Sequence, residues 1–144
     1  MKKNLLLSSC IIENLIRDED SRGSIISLLD VEVKNVSIIT SKPGTIRSNH
    51  YHLDDWHYMY VLSGNIDYFY KNNQDNKIQY LKVRQGENIF TPPLEWHATY
   101  FSEETQLIVS SKNPRDQKTY EADTVREIII THENISEFLP KLSG

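Results

Sequence analysis

The chain has 144 residues, a length that fits one folded domain better than two, so we expect a single domain over residues 1–144. Hydrophobic residues make up 38% of the chain and charged residues 25%, which is typical of a globular protein and not of a disordered one. The formal net charge of -4 argues against nucleic-acid binding, which uses a basic excess. The single cysteine excludes an internal disulfide.

The first residues resemble the start of a secretory signal peptide over residues 1–7. Polar residues 8–10 interrupt this apolar run and charged residues 17–20 follow it, which disfavours that interpretation. No stretch approaches the about 18 apolar residues of a membrane span. Together with a cysteine usage that suits a reducing compartment, these features predict a cytoplasmic protein without a membrane partner.

Short segments rich in Ile, Val, Tyr and Phe recur along the chain between turn-forming residues, a pattern typical of a β-sandwich or barrel. Only residues 133–139 show a helical period, and Pro140 would end that helix. We therefore predict an all-β fold with a short C-terminal helix. The predicted strands are residues 24–29, 35–40, 57–62, 66–70, 78–83, 88–91, 97–101, 105–110 and 125–131.

Four of the five histidines fall in two places along the chain. His50 and His52 are two residues apart, so both imidazoles point to one face of a strand, and His57 can follow from the next strand. Single histidines are more often surface or hydrogen-bonded core residues, but the distant His97 favours a shared site. Converging imidazole nitrogens suit a divalent transition metal. His132 lies apart in a polar stretch, and we expect it to be dispensable.

The residues around the first three histidines form a motif. Five residues separate Gly44 from His50, and one residue separates His50 from His52. Four residues then separate His52 from His57, and six separate His57 from Gly64. This spacing resembles the first motif of the cupin superfamily. His57 stands where that motif usually has glutamate.

A second motif lies in the other half of the chain. Five residues separate Gly86 from Pro92, one separates Pro92 from Leu94, and two separate Leu94 from His97. This segment is similar to the second cupin motif, with Leu94 where glycine is usual and Phe101 where asparagine is often found. We expect Leu94 to alter the turn and not the chemistry, because two adjacent prolines already constrain the chain there.

The cupin resemblance covers residues 35–111, the expected barrel core. It implies a jelly roll, or double-stranded β-helix, with the motif histidines pointing into the mouth of the barrel. Four neutral imidazoles would accept zinc, nickel, iron or copper, and the order of metal affinities does not choose among these ions. The expected metal ligands are His50, His52, His57 and His97.

Two short segments indicate which cupin families the chain resembles most. Residues 20–23, Asp-Ser-Arg-Gly, are similar to the Asp-x-Arg-Gly stretch near the start of dTDP-4-dehydrorhamnose 3,5-epimerases and sugar 3,4-ketoisomerases. Residues 47–52 are similar to the Arg-Gly-x-His segment of those families. By position, the resemblance implies that His50 is the catalytic base and that Arg47 contacts the substrate.

Further site residues are expected on the same grounds. These families use a tyrosine as the acid, and the candidates are Tyr100 and Tyr60, the second also as a substrate contact. Strand alternation, however, places Tyr60 on the face opposite to His57. Arg47, and with it Arg22, offers the permanent charge and planar fork that bind pyrophosphate oxygens. The alternative for Arg47 is a solvated charge at a strand end.

The sequence thus predicts a metal-binding cupin that acts on a nucleotide-linked or related sugar, as an epimerase or isomerase of surface-polysaccharide biosynthesis. A metal-dependent oxygenase and a non-catalytic sugar or metabolite sensor are alternatives, because a jelly roll hosts all three. A homodimer is expected, since small jelly rolls have sheet edges to cover. A metal would occupy the lone pair that His50 needs as a base. Because His57 supplies a fourth imidazole nitrogen to the cluster, the sequence favours the role of metal ligand for His50.

Overall fold

The chain folds into two five-stranded sheets that pack face to face, with a separate hairpin beside them. The computed structural model describes residues 8–72, 74 and 76–140, so the signal-peptide-like residues 1–7 lie outside the described residues. The strands are β1 (Cys10–Ile12), β2 (Leu15–Asp20), β3 (Gly23–Ser27), β4 (Asn35–Ser41), β5 (Thr45–His52), β6 (His57–Ser63), β7 (Asn65–Asn72), β8 (Gln79–Arg84), β9 (Asn88–Thr91), β10 (Glu95–Phe101), β11 (Thr105–Ser111) and β12 (Thr124–Arg126), and the helices are α1 (Gln117–Asp123) and α2 (Ile135–Phe138).

The strand order is that of an antiparallel jelly roll. The first sheet has the order β1-β9-β6-β11-β4, the second has the order β12-β5-β10-β7-β8, and β2 pairs only with β3. Because side chains alternate between the faces of a strand, the inward-facing residues of both sheets form one apolar core. Its buried members include Val61, Tyr68, Ile89, Phe101 and Leu107. The predicted cupin fold is confirmed.

A second apolar cluster lies on the outer face of the second sheet. Phe69, Trp96 and Ala98 pack there against Ile130 and Ile135 of the C-terminal segment. The predicted strand over residues 125–131 is shorter than expected, because regular pairing with β5 ends at Arg126 and the following residues bond instead to the bulge residue Asn49. β12 pairs with β5 on one side and is the edge strand of the second sheet.

The structure contains a helix, α1, that the sequence analysis did not predict. The Asp116 side chain caps its N-terminus by accepting the backbone N–H of Thr119 at 3.0 Å. None of its residues is fully buried, so it lacks the apolar period by which helices are recognised. The predicted C-terminal helix is present as α2 and ends before Pro140. Among the described residues, neither helix is long and apolar enough to cross a membrane.

The turn before β10 places a non-glycine residue in the left-handed region. Leu94 has a φ of 64°, in the left-handed region, and its backbone N–H donates to the carbonyl oxygen of His52 at 2.7 Å. The exposed Leu94 side chain meets no obstacle to this conformation from core packing, and the turn ties the second motif to the first.

Candidate active site

Four histidines converge at one end of the barrel interior. His50 and His52 lie on β5, His57 begins β6 and His97 lies on β10. All four are buried. The ring centroid of His50 is 4.7 Å from that of His52 and 4.8 Å from that of His97, and the His57 and His97 centroids are 5.3 Å apart. The two motifs thus supply one cluster.

Two of these imidazoles are held by neighbouring groups. The Nδ1 atom of His52 lies 3.4 Å from the Thr124 hydroxyl and 3.6 Å from the Asp123 carboxylate. The Nδ1 atom of His97 lies 3.4 Å from the carbonyl oxygen of Glu95. A proton on His97 Nδ1 leaves Nε2 as an acceptor, and this buried Nε2 atom has no hydrogen-bond partner among the described residues.

Burial keeps the cluster uncharged. It lowers the pKa of His50 to about 2 and that of His97 to about 3, with further lowering from neighbouring imidazoles. The pKa of His57 falls well below its ordinary value for the same reasons. Burial also lowers the pKa of His52, although the Asp123 carboxylate opposes that shift. At neutral pH the histidines are therefore unprotonated and present free lone pairs.

A cavity of about 140 Å³ opens beside the cluster. His50 and His57 line it, whereas His52 and His97 are not among its lining residues. Its apolar wall includes Met59 and Phe101. Since one water needs only about 10–15 Å³, the space is large enough for an organic ligand group. Five further polar residues line it: Arg47, Ser48, Thr99, Arg115 and Tyr120.

Arg47 reaches this cavity because β5 contains a bulge. His97 pairs with His50 and Ala98 pairs with Ser48, which leaves Asn49 as an extra residue. The extra residue shifts the alternation, so that Arg47 and His50 share a face although they are three residues apart. Arg47 Nε donates to the hydroxyl of Ser41 at 2.8 Å, which orients the guanidinium.

Sequence reasoning missed two residues of the site, both contributed by the segment that contains α1. The Tyr120 ring lies 5.3 Å from that of His52 and 6.2 Å from that of His50. The Arg115 guanidinium lies 4.7 Å from the centre of the Tyr120 ring, a cation–π contact. Burial raises the pKa of the Tyr120 hydroxyl, and Arg115 partly offsets this rise. The capping residue before α1 was the one available local signal.

Carboxylates anchor this segment over the barrel mouth. Asp123 accepts the backbone N–H groups of Asp54 and Asp55 at 2.8 and 3.0 Å. Asp55 in turn accepts the backbone N–H of Asn113 at 3.0 Å, and Asp54 pairs with Lys112 at 2.7 Å. The loop between β5 and β6 therefore fixes the position of both ends of the segment.

Three residues expected in the site do not reach it. Tyr100 lies between the inward-facing Thr99 and Phe101, so it faces outward and packs against the second apolar cluster. Tyr60 faces outward for the same reason of alternation. Arg22 lies at the tip of the β2–β3 hairpin, exposed, and pairs with Asp20 at 2.7 Å. The assignments of Tyr100 as acid and of Tyr60 and Arg22 as substrate contacts in this cavity are therefore corrected.

The histidine cluster also fits a divalent metal ion. One ring nitrogen each of His50, His52 and His97 lies within 4.8 Å of the other two. An ion bound tetrahedrally at about 2.0–2.1 Å from each nitrogen would hold the ring centroids about 5 Å apart. The observed separations run from 4.7 to 6.0 Å. The unpartnered Nε2 atom of His97 is a further donor that a metal would satisfy.

Comparison with known protein families gives one match. The family model described as the polysaccharide biosynthesis C-terminal domain matches residues 18–125. No curated protein sequence matches the chain.

Solved structures share the fold at low sequence identity. The WlaRB TDP-quinovose 3,4-ketoisomerase from Campylobacter jejuni has a TM-score of 0.71 and 20% identity, over 85% of this chain and 95% of that one. QdtA, a sugar 3,4-ketoisomerase from Thermoanaerobacterium thermosaccharolyticum in complex with TDP, has a TM-score of 0.68 and 18% identity, over 94% and 100%. CapF, a capsular polysaccharide assembling protein from Staphylococcus aureus, has a TM-score of 0.61 and 22% identity, over 82% of this chain but 32% of CapF.

Proposed function

The chain belongs to the polysaccharide biosynthesis C-terminal domain family, and from this premise we propose that it is an isomerase or epimerase of a nucleotide-linked keto sugar. The observation that carries the proposal is the cavity where the neutral His50 lies together with Arg47, Arg115 and Tyr120. The substrate class is supported by proteins of the same fold, because QdtA is a 3,4-ketoisomerase whose structures hold TDP and TDP-4-keto-6-deoxyglucose.

Proton transfer is the chemistry that these groups can perform. In the proposed reaction, the neutral imidazole of His50 takes a proton from the ring carbon next to the ketone, and the electron pair of that C–H bond forms an enolate. The Tyr120 hydroxyl, kept protonated by burial, donates its proton to the enolate oxygen. The ketone moves when the former carbonyl carbon takes the proton held by His50 and the hydroxyl on the original carbon gives its proton to the Tyr120 phenolate. The original carbon is inverted when the enol oxygen returns its proton to Tyr120 and that carbon takes a proton on its opposite face.

Two arginines supply the affinity for the nucleotide part. Arg47 and Arg115 carry permanent charges on planar forks that suit pyrophosphate oxygens. Among the described residues, no carboxylate lines the cavity, so its charge favours an anionic ligand. Binding energy at the diphosphate then holds the sugar ring against His50.

Conversion of a keto sugar tests this function. We expect incubation with TDP-4-keto-6-deoxyglucose, or with its UDP counterpart, to produce an isomer whose ketone has moved or whose adjacent carbon is inverted, as detected by NMR. The matched control is TDP-glucose, which lacks the ketone that makes the neighbouring C–H acidic and should remain unchanged. Unconverted substrate with both keto sugars would contradict the proposal.

A divalent metal centre is the second candidate, because three histidine nitrogens converge and His97 Nε2 lacks a partner among the described residues. His50, His52 and His97 would hold the ion, with His57 as the fourth ligand. The ion would polarise the ketone oxygen of a bound sugar. His50 would then be a ligand and not the base, so the two candidates differ in whether proton transfer requires metal.

We also propose that the chain acts as a homodimer whose contact joins the β2–β3 hairpin of one copy to the β4 edge of the other. The hairpin exposes apolar side chains on a sheet of only two strands, which is marginally stable alone. The edge strand β4 exposes Val36 and Ile38, at 60% and 70%. The exposed apolar residues of the hairpin are Leu15, Ile16, Ile25 and Ile26.

Charge complementarity favours a second copy as the occupant of this edge. Asp18 and Glu19 lie on the hairpin, and Lys34 and Lys42 flank β4 at its two ends. Among the described residues none of these four side chains has an ion-pair partner. One chain therefore carries both halves of a complementary contact, apolar at its centre and charged at its rim.

Sedimentation velocity tests the dimer. We expect the native chain to sediment as a dimer and Ile38→Asp to sediment as a monomer, because the introduced carboxylate would be buried without a partner in the contact. Ile128→Asp is the matched control, since Ile128 is equally exposed, at 69%, but lies on the C-terminal segment. A monomeric native chain, or a dimeric Ile38→Asp variant, would show that this contact does not exist.

A further inference from the structure

We propose that Asn49 is a positioning residue, which holds Arg47 in the cavity by tying the β5 bulge to the C-terminal segment over residues 127–130. The inference rests on the proposed function in one respect, namely that Arg47 binds the diphosphate of the substrate. Asn49 itself lies outside the lining of the cavity and touches no substrate there.

The position of Arg47 depends on the bulge. In a regular strand, residues at even separations from His50 would share its face, and Arg47 would point to the opposite side with Tyr51. Instead Ile46 and Tyr51 pack in the outer apolar cluster, while Arg47 and His50 line the cavity. Loss of the extra residue from the pairing would therefore exchange Ile46 and Arg47 between the two faces.

The backbone alone does not favour this bulge. Ser48 and Asn49 have φ values of 72° and 57°, both in the left-handed region. Asparagine tolerates this region better than most residues, but serine gains nothing from it. A contact from outside the strand is therefore needed to keep two consecutive left-handed residues in place.

The Asn49 side chain makes that contact. It is only 5% exposed. Its amide oxygen accepts the backbone N–H groups of Ile129 and Ile130 at 3.1 and 3.0 Å, and its amide nitrogen donates to the carbonyl oxygen of Ile130 at 2.9 Å. The backbone oxygen of Asn49 accepts the N–H of Glu127 at 2.9 Å. Four hydrogen bonds thus join one bulge residue to three residues of the C-terminal segment: Glu127, Ile129 and Ile130.

The segment that receives these bonds is itself fixed. Ile130 is 1% exposed and packs with Phe69 and Trp96 in the outer cluster. The indole nitrogen of Trp96 donates to the carbonyl oxygen of Glu127 at 2.8 Å. A rigid anchor on the outer face of the second sheet therefore determines which side chain β5 presents on its inner face.

Asn49→Gly tests the role of the side-chain hydrogen bonds, because glycine adopts the left-handed backbone conformation but lacks the side-chain amide. We expect its Kd for TDP, measured by calorimetry, to rise about tenfold or more, the loss expected when a hydrogen bond to a charged group is misplaced. Asn49→Asp keeps the acceptor oxygen and should retain part of the affinity. In an Arg47→Ala background, Asn49→Gly should weaken binding no further, because the residue through which it acts is gone.

Asn134→Ala is the matched control. Asn134 donates to the carbonyl oxygen of Ile129 at 2.7 Å and accepts the N–H of Thr131 at 2.9 Å, so it braces the same segment without touching the bulge. We expect this variant to lose stability and to keep the TDP affinity of the native chain. Equal weakening of TDP binding by Asn134→Ala and Asn49→Gly would reduce Asn49 to a merely structural residue and overturn the inference.

A second measurement does not depend on any ligand. Arg47 Nε donates to Ser41, so its N–H resonance should be slow to exchange with water in the native chain and should disappear in Arg47→Ala. We expect that resonance to shift and to exchange rapidly in Asn49→Gly but not in Asn134→Ala. An unchanged resonance in Asn49→Gly would overturn the inference even if TDP does not bind. A shifted resonance in that variant, together with a native chain that binds neither TDP nor UDP, would contradict only the proposed function.

Discussion

Replacing His50 with alanine is expected to lower kcat for the keto sugar by about 10²–10⁴-fold, the usual contribution of a general base. The Kd of the nucleotide sugar should change by no more than a few-fold, because Arg47 and Arg115 supply the ground-state affinity. Tyr120→Phe should lower kcat in the same way, because it removes the proton donated to the enolate oxygen. The kcat and the Kd of each variant are measured by NMR with chelator-treated protein.

Metal dependence distinguishes the two possible roles of His50. If His50 is the base, chelator-treated native protein keeps its activity, and added zinc or cobalt does not restore the His50→Ala variant. If His50 is a ligand, activity requires the metal and the variant loses metal occupancy. His132→Ala is the control, since His132 is exposed and lies outside the cluster, where its Nε2–H donates to the carbonyl oxygen of Gly44 at 2.7 Å. Metal-dependent activity would refute the role of base and support the second candidate.

The second large effect is a loss of stability in mild acid. The four clustered histidines have folded-state pKa values below the ordinary value of about 6.5, so below that pH the unfolded chain binds more protons than the folded chain. The free energy of unfolding therefore falls as the pH falls from about 6.5 towards the lowered pKa values. Each histidine contributes at most about 1.4 kcal/mol per pH unit, and the four together contribute at most about 5.5 kcal/mol per pH unit.

Urea unfolding followed by tryptophan fluorescence at pH 8, 7, 6 and 5 measures this slope. Because a domain of this size has a total stability of only about 5–15 kcal/mol, we expect the chain to be largely unfolded near pH 5. His57→Gln should have a shallower slope, since it removes one of the titrating groups, whereas the exposed His132→Asn should keep the steep one. A stability that stays constant between pH 8 and pH 5 would show that the cluster is not held neutral by burial.

Local spacing made much of the fold and of the cluster predictable. A histidine pair at a separation of two marks one face of a strand, and the positions of Gly44, Gly64 and Gly86 mark the turns that bring the strands together. Strand β9 has the predicted bounds of Asn88–Thr91. These features depend on residues that are close in sequence, which is why the sequence could reveal them.

The remaining parts of the site depend on long-range contacts. Tyr120 and Arg115 reach the cavity only because carboxylates anchor their segment to the loop between β5 and β6. No local sequence pattern indicates that contact. Arg47 faces inward because of the bulge in β5, and the bulge residue Asn49 is hydrogen-bonded to Ile130, some eighty residues away in the sequence. The error at Tyr100 is different, because alternation from the inward-facing His97 already places it outward.

Hydrogen exchange at the sugar ring tests proton abstraction most directly, whichever product forms. Chelator-treated protein would be incubated with TDP-4-keto-6-deoxyglucose in D₂O and followed by proton NMR. We expect the signal of the ring proton next to the ketone to disappear with the native chain and to persist with His50→Ala. A substrate that binds to the native chain while that ring proton persists undiminished would contradict the proposal that this site transfers protons.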